Sequence, residues 1–560
     1  MSLRKIQNEK GMALFIALIL TLMISIMGIA LIKTSNDEIT IAGNELNELR
    51  TFYAAEAALD KAAAEIQTEY EATGVPPVNM PEGTLSLDTV GVIYTTNPED
   101  TVQKVLTKGS LAGLHSLVKP FTIRATALDP DKQTTITLEE TFEVALVPIF
   151  QFSVFYENDL EIAPGPNMLL FGRVHSNNDI YLQSGNTLNI DSYMTAYGDI
   201  FHGRKPGSGQ SVSNGNVNIM GLDGSYHSMR DGAGWLESTD AHWFDTAAAR
   251  WGGRVQDAAF GQSRLNLPLE GGSIDAHKII EPASAGGGND DSFENKADFK
   301  IMDGVAYSKN AGGTWTDVTA TLIADGSLTS TTFHDKREGN DVTVYDIDMS
   351  VFTSSPYFPS NGIMYADDDR SGDRGTRLFN ADDIGVPFTI ASDNPIYTKG
   401  DVNTVNKQPM AIITDALTIL SDNWSDNPAR AASSDKYQRP ATATDCNFSF
   451  ITGNQNTGSG GYGYNGGLEN LPRFLENWSS QTLTYRGSII CLWLAQKLTG
   501  AWNGSVYNPP NRDWAFDTDL TDPNKLPPGC PAVRTFIRMG WKQSDVSYTD
   551  EASYLEADEG

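Results

Sequence analysis

The hydrophobic and polar positions of the chain first form one long uncharged run. It extends from Met12 to Ile32 and lies between Lys10 and Lys33. At about 1.5 Å per residue, a helix over this run is roughly 30 Å long, which matches the hydrocarbon thickness of a membrane. The pattern therefore predicts a transmembrane helical segment over residues 12–32.

An amphipathic pattern follows without a break. Residues 33–72 contain no proline and a single glycine, Gly43, so we expect the same helix to cover residues 12–72. Gly74 and the prolines after it would end the helix. Apolar residues recur at spacings of three and four, which predicts one face packed against other structure. This predicted stripe consists of Leu46, Leu49, Tyr53, Leu59, Ala63, Ile66 and Tyr70.

Residues 85–147 show the alternation of a β-sheet. Between Ile136 and Leu146, apolar side chains alternate with threonine and glutamate, and only Glu140 breaks the phase. We therefore predict a small antiparallel β unit, packed on the second half of the helix.

The chain after Phe150 consists of short apolar segments separated by Gly, Asn and Asp. Two similar segments place Asp179-Ile180 and Asp199-Ile200 at an offset of 20 residues, which is typical of one turn of a β-solenoid. We predict a β-rich, solenoid-like head over residues 150–425 with a long insertion over residues 206–384. A β-sandwich head is the alternative.

Two further regions complete the predicted α+β fold. Residues 426–545 are rich in glycine and tryptophan, and residues 546–560 form an acidic tail. Three cysteines, Cys446, Cys491 and Cys530, permit one disulfide with three alternative pairings, or three buried thiols. The sequence does not choose between these arrangements.

The charge distribution bears on partners and orientation. A formal net charge of −31 argues against a nucleic-acid partner, because a polyanion would be repelled by most of the head. Basic residues precede the apolar run and acidic residues follow it, which places the N-terminus in the cytoplasm and the head outside. Residues 1–11 are a short basic segment that ends in Gly11, before the apolar run, whereas an ordinary secretory signal is cleaved after it.

The N-terminal residues resemble those of PilX-type minor pilins. The resemblance covers about residues 8–66 and rests on three segments: Asn8-Glu-Lys-Gly11 with the apolar run after it, Ile41-Ala-Gly-Asn44, and Ala54-Ala-Glu-Ala-Ala-Leu59. It implies that residues 1–11 are a prepilin leader, that a prepilin peptidase cuts after Gly11, and that the new N-terminal residue, Met12, is methylated.

The resemblance also implies partners and location. Other pilins or pseudopilins would contact the N-terminal helix, first in the inner membrane and then in an extracellular fibre at the cell surface. Major pilins have a glutamate at the fifth mature position, where this chain has Ile16. That departure favours a subunit at or near the tip over one that repeats along the fibre.

One acidic segment is a candidate metal site. Asp367, Asp369, Ser371 and Gly372 match the first half of a calcium-binding loop, but Leu378 stands where an EF-hand needs its glutamate. A solvated acidic turn is the default interpretation, and a looser calcium site that includes Asp373 is the alternative. We find no catalytic constellation and no motif for an organic cofactor, so an enzyme is not expected.

Several functions fit this sequence. The leading hypothesis is a minor pilin that acts in pilus assembly or initiation. The alternatives are an adhesin or binding module on a pilin anchor, a type II secretion pseudopilin, and a cell-anchored polysaccharide-active enzyme.

Overall fold

The computed structural model describes residues 9–129, 134–456 and 466–543, with side chains from residue 11 onwards. Residues 1–8 of the predicted leader and the predicted acidic tail lie outside the described residues. Helix α1 spans Glu9–Thr73 as one continuous element, one residue longer at its C-terminal end than predicted. Gly74 ends it with a positive φ of 80°, and its N–H donates to the carbonyl of Tyr70 at 3.0 Å. A Cβ at Gly74 would lie 2.6 Å from the carbonyl oxygen of Leu269, so only glycine fits this turn.

The first β unit is an antiparallel sheet that packs on α1. Adjacent strands pair in antiparallel fashion, and alternate residues of β2 and β4 are buried. We call it the helix-backed sheet. Its strands are β1 (Gly83–Leu87), β2 (Val90–Pro98), β3 (Val102–Val105), β4 (His115–Asp129) and β5 (Thr134–Pro148).

Short parallel strands follow. Ile180 pairs in parallel with both Leu160 and Ile200, which is the 20-residue offset seen in the sequence, so successive turns of the chain stack on one another. The strands are β6 (Phe152–Tyr156), β7 (Leu160–Ile162), β8 (Met168–Leu170), β9 (Arg173–Ser176), β10 (Ile180–Leu182), β11 (Thr187–Ile190), β12 (Met194–Ala196), β13 (Ile200–His202), β14 (Asn216–Met220), β15 (Tyr226–Ser228), β16 (Arg230–Asp231), β17 (Gly234–Trp235) and β18 (Val255–Gln256), with helix α2 (Trp243–Trp251) before β18.

The second half of the head consists mainly of strands of two sheets, and its last strand belongs to the helix-backed sheet. Its strands are β19 (Phe299–Met302), β20 (Val305–Lys309), β21 (Trp315–Asp317), β22 (Leu328–Asp335), β23 (Asn340–Asp348), β24 (Ile363–Asp367), β25 (Asp373–Ala381), β26 (Phe388–Ser392), β27 (Ile396–Val402), β28 (Met410–Thr414), β29 (Leu417–Leu420), β30 (Thr444–Asn447), β31 (Ser449–Asn454), β32 (Thr482–Arg486), β33 (Ile489–Leu494), β34 (Asn511–Ala515) and β35 (Ala532–Gln543). Four short helices lie between them: α3 (Phe293–Lys296), α4 (Thr319–Ala324), α5 (Met349–Phe352) and α6 (Pro428–Ala431).

A twelve-stranded sheet, here called the long sheet, joins both halves of the head. Its order is β18-β12-β9-β6-β33-β31-β28-β26-β24-β19-β20-β21. All pairs from β18 to β19 are parallel, and only the β19–β20–β21 end is antiparallel. A β-sandwich of the alternative kind would instead be antiparallel.

The order of the long sheet differs from the predicted domain boundaries. Strands β19 and β24 lie within residues 206–384 yet belong to the long sheet, so this range is not a separate insertion. Strands β31 and β33 come from residues 426–545 and lie between β28 and β6. The prediction instead places residues 385–425, which contain β28, next to residues 150–205, which contain β6. Buried parallel strands need no repeated sequence, which is why the spacing alone did not find them.

In the part of the chain that the structure describes, buried apolar side chains form three clusters. The largest lies between the long sheet and the remaining sheets of the head. The second covers the other face of the long sheet, where segments such as residues 265–297 pack on Phe155, Tyr365 and Ile413. The third lies between α1 and the helix-backed sheet.

The last described strand returns to the beginning of the fold. Strand β35 pairs in antiparallel fashion with β5, so the helix-backed sheet has the order β1-β2-β4-β5-β35, with β3 also paired to β4. Residues from the predicted C-terminal region therefore complete the first β unit.

Candidate functional site

The first half of α1 has no packing partner in the described chain. Every apolar side chain from Met12 to Ile24 is at least 40% exposed, and exposure continues to Ile32. The helix that contains it is long and apolar enough to cross a membrane. Such a surface is unstable in water, so it needs lipid or other apolar helices around it.

Hydroxyl groups within this apolar segment are already hydrogen-bonded. Thr21 donates to the carbonyl of Ala17 at 2.8 Å, and Ser25 donates to the carbonyl of Thr21 at 2.8 Å. Thr34, just after the segment, donates to Ala30 at 3.0 Å. A hydroxyl that bonds to its own helix carries little penalty in an apolar medium. These polar residues are therefore compatible with a membrane.

The residues predicted for processing lie at the start of this exposed segment. A Cβ at Gly11 would meet no atom within 4 Å, and Met12 is 62% exposed. Ile16, at the position where major pilins have a glutamate, is also exposed and apolar. Among the described residues, no other element therefore packs at the Cβ position of Gly11.

The second half of α1 packs on the helix-backed sheet through a stripe that is mostly alanine. The prediction was right for Leu59, Ala63, Ile66 and Tyr70, which are buried, but wrong for Leu46, Leu49 and Tyr53, which are 51–60% exposed. Small residues let a helix backbone approach a sheet closely, whereas the larger leucines lie before the sheet begins. The buried stripe consists of Thr51, Ala54, Ala55, Ala58, Leu59, Ala62, Ala63, Ile66 and Tyr70.

An arginine of β35 connects the helix to the sheet. Arg538 donates from Nε to Glu140 at 2.6 Å and from Nη1 to Asp60 of α1 at 2.6 Å. Glu140 is only 2% exposed, and its partner explains why a charged residue interrupts the alternation of β5. No local pattern predicts this contact, because Glu140 and Arg538 are 398 positions apart.

Aromatic side chains extend the same junction. Phe536 of β35 stacks on Phe142 of β5 with ring centroids 6.0 Å apart and lies edge-on to Tyr70 of α1 at 6.3 Å. Burial raises the pKa of Tyr70 to about 12, so its hydroxyl stays neutral at physiological pH. Helix, sheet and C-terminal strand thus share one apolar junction.

The structure also brings together part of the predicted calcium site. Asp367 and Asp369 offer carboxylate oxygens that lie within 4.8 Å of each other and of Asp393, a residue that the sequence did not identify. Asp373 is not in this group. The carbonyl of Ser371 accepts hydrogen bonds from Arg374 instead. The candidate ligands are therefore Asp367, Asp369 and Asp393, and the predicted Ser371 and Asp373 are not among them.

Two cationic side chains adjoin these carboxylates. Lys497 Nζ lies 2.9 Å from Asp369 Oδ1 and 3.1 Å from Asp393 Oδ2. The buried His277 directs Nε2 toward Asp393 Oδ1 at 3.7 Å and Asp415 Oδ1 at 3.5 Å. Burial opposes its charged form, but the carboxylates of Asp415 and Glu281 raise the pKa of His277 above its usual value. The sequence could not predict this cluster, because it does not show which residues are neighbours across the sheet.

The cysteines carry no crosslink. Cys446 and Cys491 are buried, Cys530 is partly buried, and all three are free thiols in the structure. Burial raises the pKa of Cys491 and of Cys530 to about 12, so neither is a reactive thiolate.

Comparison with known proteins finds one family match. Residues 10–60 match the family described as PilX N-terminal. Three chains of solved structures match, among them the competence-associated pilin ComZ from Thermus thermophilus, which is 9% identical with a TM-score of 0.29 over 90% of this chain and 98% of that chain. A TM-score this low does not establish a shared fold. A search of curated proteins gives no match.

Proposed function

We propose that this chain, a type IV pilin-like protein with a PilX-type N-terminal segment over residues 10–60, is a minor pilin that acts in assembly or initiation of a type IV pilus-like fibre. The observation that carries the proposal is the division of α1 into two halves. Its first half is exposed and apolar, whereas its second half is buried on the helix-backed sheet. One helix can therefore hold the head and still contact lipid or other helices.

During assembly, the apolar segment of α1 is surrounded first by lipid and then by the helices of other pilins. In the inner membrane, the bilayer covers residues 12–32, and the head lies outside the cytoplasm. In the fibre, helices of neighbouring pilins replace the lipid, so no apolar surface is exposed to water at either stage. The partners on this account are other pilins and, before assembly, a prepilin peptidase that cuts after Gly11.

Ile16 favours a position at or near the tip. Cleavage after Gly11 creates a positively charged amino group on each pilin, and an apolar environment makes an unpaired charge costly. A glutamate at the fifth mature position of one pilin compensates the amino group of its neighbour in the related fibres. Ile16 cannot supply that charge, so this chain is a poor repeating subunit but remains acceptable at an end.

The size of the head supports the same position. In addition to the helix-backed sheet, the head contains the twelve-stranded long sheet and its partner sheets. A bulky body that repeats along a helical shaft must fit between its neighbours, whereas a body at the end has none above it.

Labelling of native fibres tests the proposal. An antibody against the head should mark one end of each fibre, and deletion of the gene should lower the number of fibres without changing their diameter. Complementation with the intact gene is the control. Label spread evenly along the shaft would contradict the tip position, and fibre number unchanged by the deletion would contradict a role in initiation.

A further inference from the structure

One edge of the long sheet carries aspartates in register. Asp367 ends β24, Asp393 follows β26, and Asp415 follows β28. These strands pair in parallel, with Ala366 opposite Ser392 and Ser392 opposite Thr414. The next position on each strand is the aspartate, at the strand spacing of about 4.8 Å. Like charges in adjacent positions repel one another, so this edge needs positive charge.

Two cationic side chains, His277 and Lys497, lie at this edge, but they do not compensate the charge of every carboxylate. Asp415 accepts hydrogen bonds from the backbone N–H groups of residues 496–498 and lies beside His277. Asp393 lies between His277 and Lys497. Asp367 has neither contact within 4 Å among the described residues. Burial, Asp369 and Asp393 raise the pKa of Asp367 to about 7.

Buried polar atoms without hydrogen bonds lie at this same edge of the long sheet. Asp367 and Asp393 are each 4% exposed and His277 is 1% exposed. Among the described residues, Asp367 Oδ1, Asp393 Oδ1 and His277 Nε2 have no hydrogen-bond partner. His277 Nδ1 lies 3.0 Å from Glu281 Oε1, and this contact fixes the ring with Nε2 toward the carboxylates. His277 Nε2 and Asp393 Oδ1 face each other as an ion pair at 3.7 Å, whereas Asp367 Oδ1 has no such partner in the part of the chain that the structure describes. Buried polar atoms are normally satisfied, so Asp367 Oδ1 indicates a ligand.

We propose that Asp367, Asp369 and Asp393 bind a hard divalent cation, with calcium as the first candidate. Two oxygens bound at about 2.4 Å to one calcium ion lie at most about 4.8 Å apart. One carboxylate oxygen of each aspartate lies within 4.8 Å of the others, so a single ion can contact all three. Three carboxylates supply oxygen ligands, and the exposed Asp369 leaves room for water. The ammonium group of Lys497 contacts two of the three carboxylates and is partly exposed, so it swings away when the cation binds.

Thermal unfolding of the full chain in detergent tests the site. At pH 8, a calcium concentration 100 times the Kd should raise the folding equilibrium constant about 100-fold. Magnesium, which demands octahedral geometry, should have a weaker effect. A stability unaffected at pH 8 by millimolar CaCl₂ and by millimolar MgCl₂ would overturn the proposal.

Three variants separate the site from general effects of the salt. Asp367→Asn keeps the side-chain shape and removes an uncompensated charge, so the folded chain should stay stable but lose the calcium response. Asp373→Asn, in the same segment but outside the cluster, should keep that response. Lys497→Met should bind calcium more tightly because the competing ammonium group is removed. A calcium response that survives in Asp367→Asn, or one that disappears in Asp373→Asn, would contradict the assignment.

Discussion

Arg538 connects three elements at the scale of a single residue. Its guanidinium bonds Glu140 of β5 and Asp60 of α1, and its own strand is β35. Glu140 is almost fully buried, and a buried carboxylate is stable only when it is paired. The arginine therefore stabilises the junction mainly by preventing an unpaired charge.

Replacing this arginine should loosen the junction. Arg538→Met should destabilise β5 and β35 by about 1–3 kcal/mol, because Glu140 stays buried without its partner. Hydrogen exchange measured on peptides of these strands reports the local opening. Lys542→Met on the same strand is the matched control, since its partner Glu139 is partly exposed and the pair contributes less than about 1 kcal/mol. Equal effects of the two substitutions would contradict this account.

The pairing of residues could be predicted only where the partners are close in sequence. Asp367 and Asp369 were found because they are two positions apart, whereas Asp393 joins them through the register of β24 and β26. His277 and Lys497 also contact Asp393, and they come from distant segments of the chain, one before Asp393 and one after it. Register is set by packing across the whole sheet, so a local pattern of residues does not contain it.

At the scale of elements, α1 combines two surfaces in one helix. Its position and end were predicted from the absence of proline and from the glycine at residue 74. The extent of its buried stripe was not, because alanines at the contact are less conspicuous than Leu46 and Leu49, which are exposed. A close helix–sheet contact selects small side chains, so hydrophobicity alone misplaces its boundary.

The same substitution on two faces of α1 tests this stripe. Ala58 is fully buried against the helix-backed sheet, so Ala58→Leu should overpack the contact and cost about 1–3 kcal/mol. Ala64→Leu, at an exposed position of the same helix, should have little effect. Hydrogen exchange in β4 and β5 measures both variants. Faster exchange in Ala64→Leu, or unchanged exchange in Ala58→Leu, would show that the stripe is misassigned.

At the scale of the whole molecule, segments that are distant in the sequence pair with each other in two sheets. Strand β6 pairs with β33 in the long sheet, and β35 pairs with β5 in the helix-backed sheet. The α+β class was confirmed, because helical and alternating patterns are local. The order of the strands was not predictable, because parallel pairing between distant segments leaves no period in the sequence.

The central claim is that the chain is processed and assembled as a pilin, and its N-terminus tests this most directly. Intact mass and N-terminal sequencing of the assembled protein from the native host should give a chain that begins at Met12. Gly11→Val should trap the precursor in the membrane without disturbing the fold, because a side chain there meets no atom within 4 Å. Gly28→Val, equally unhindered in the same helix, should still be processed. An assembled chain that retains Met1 would contradict the account.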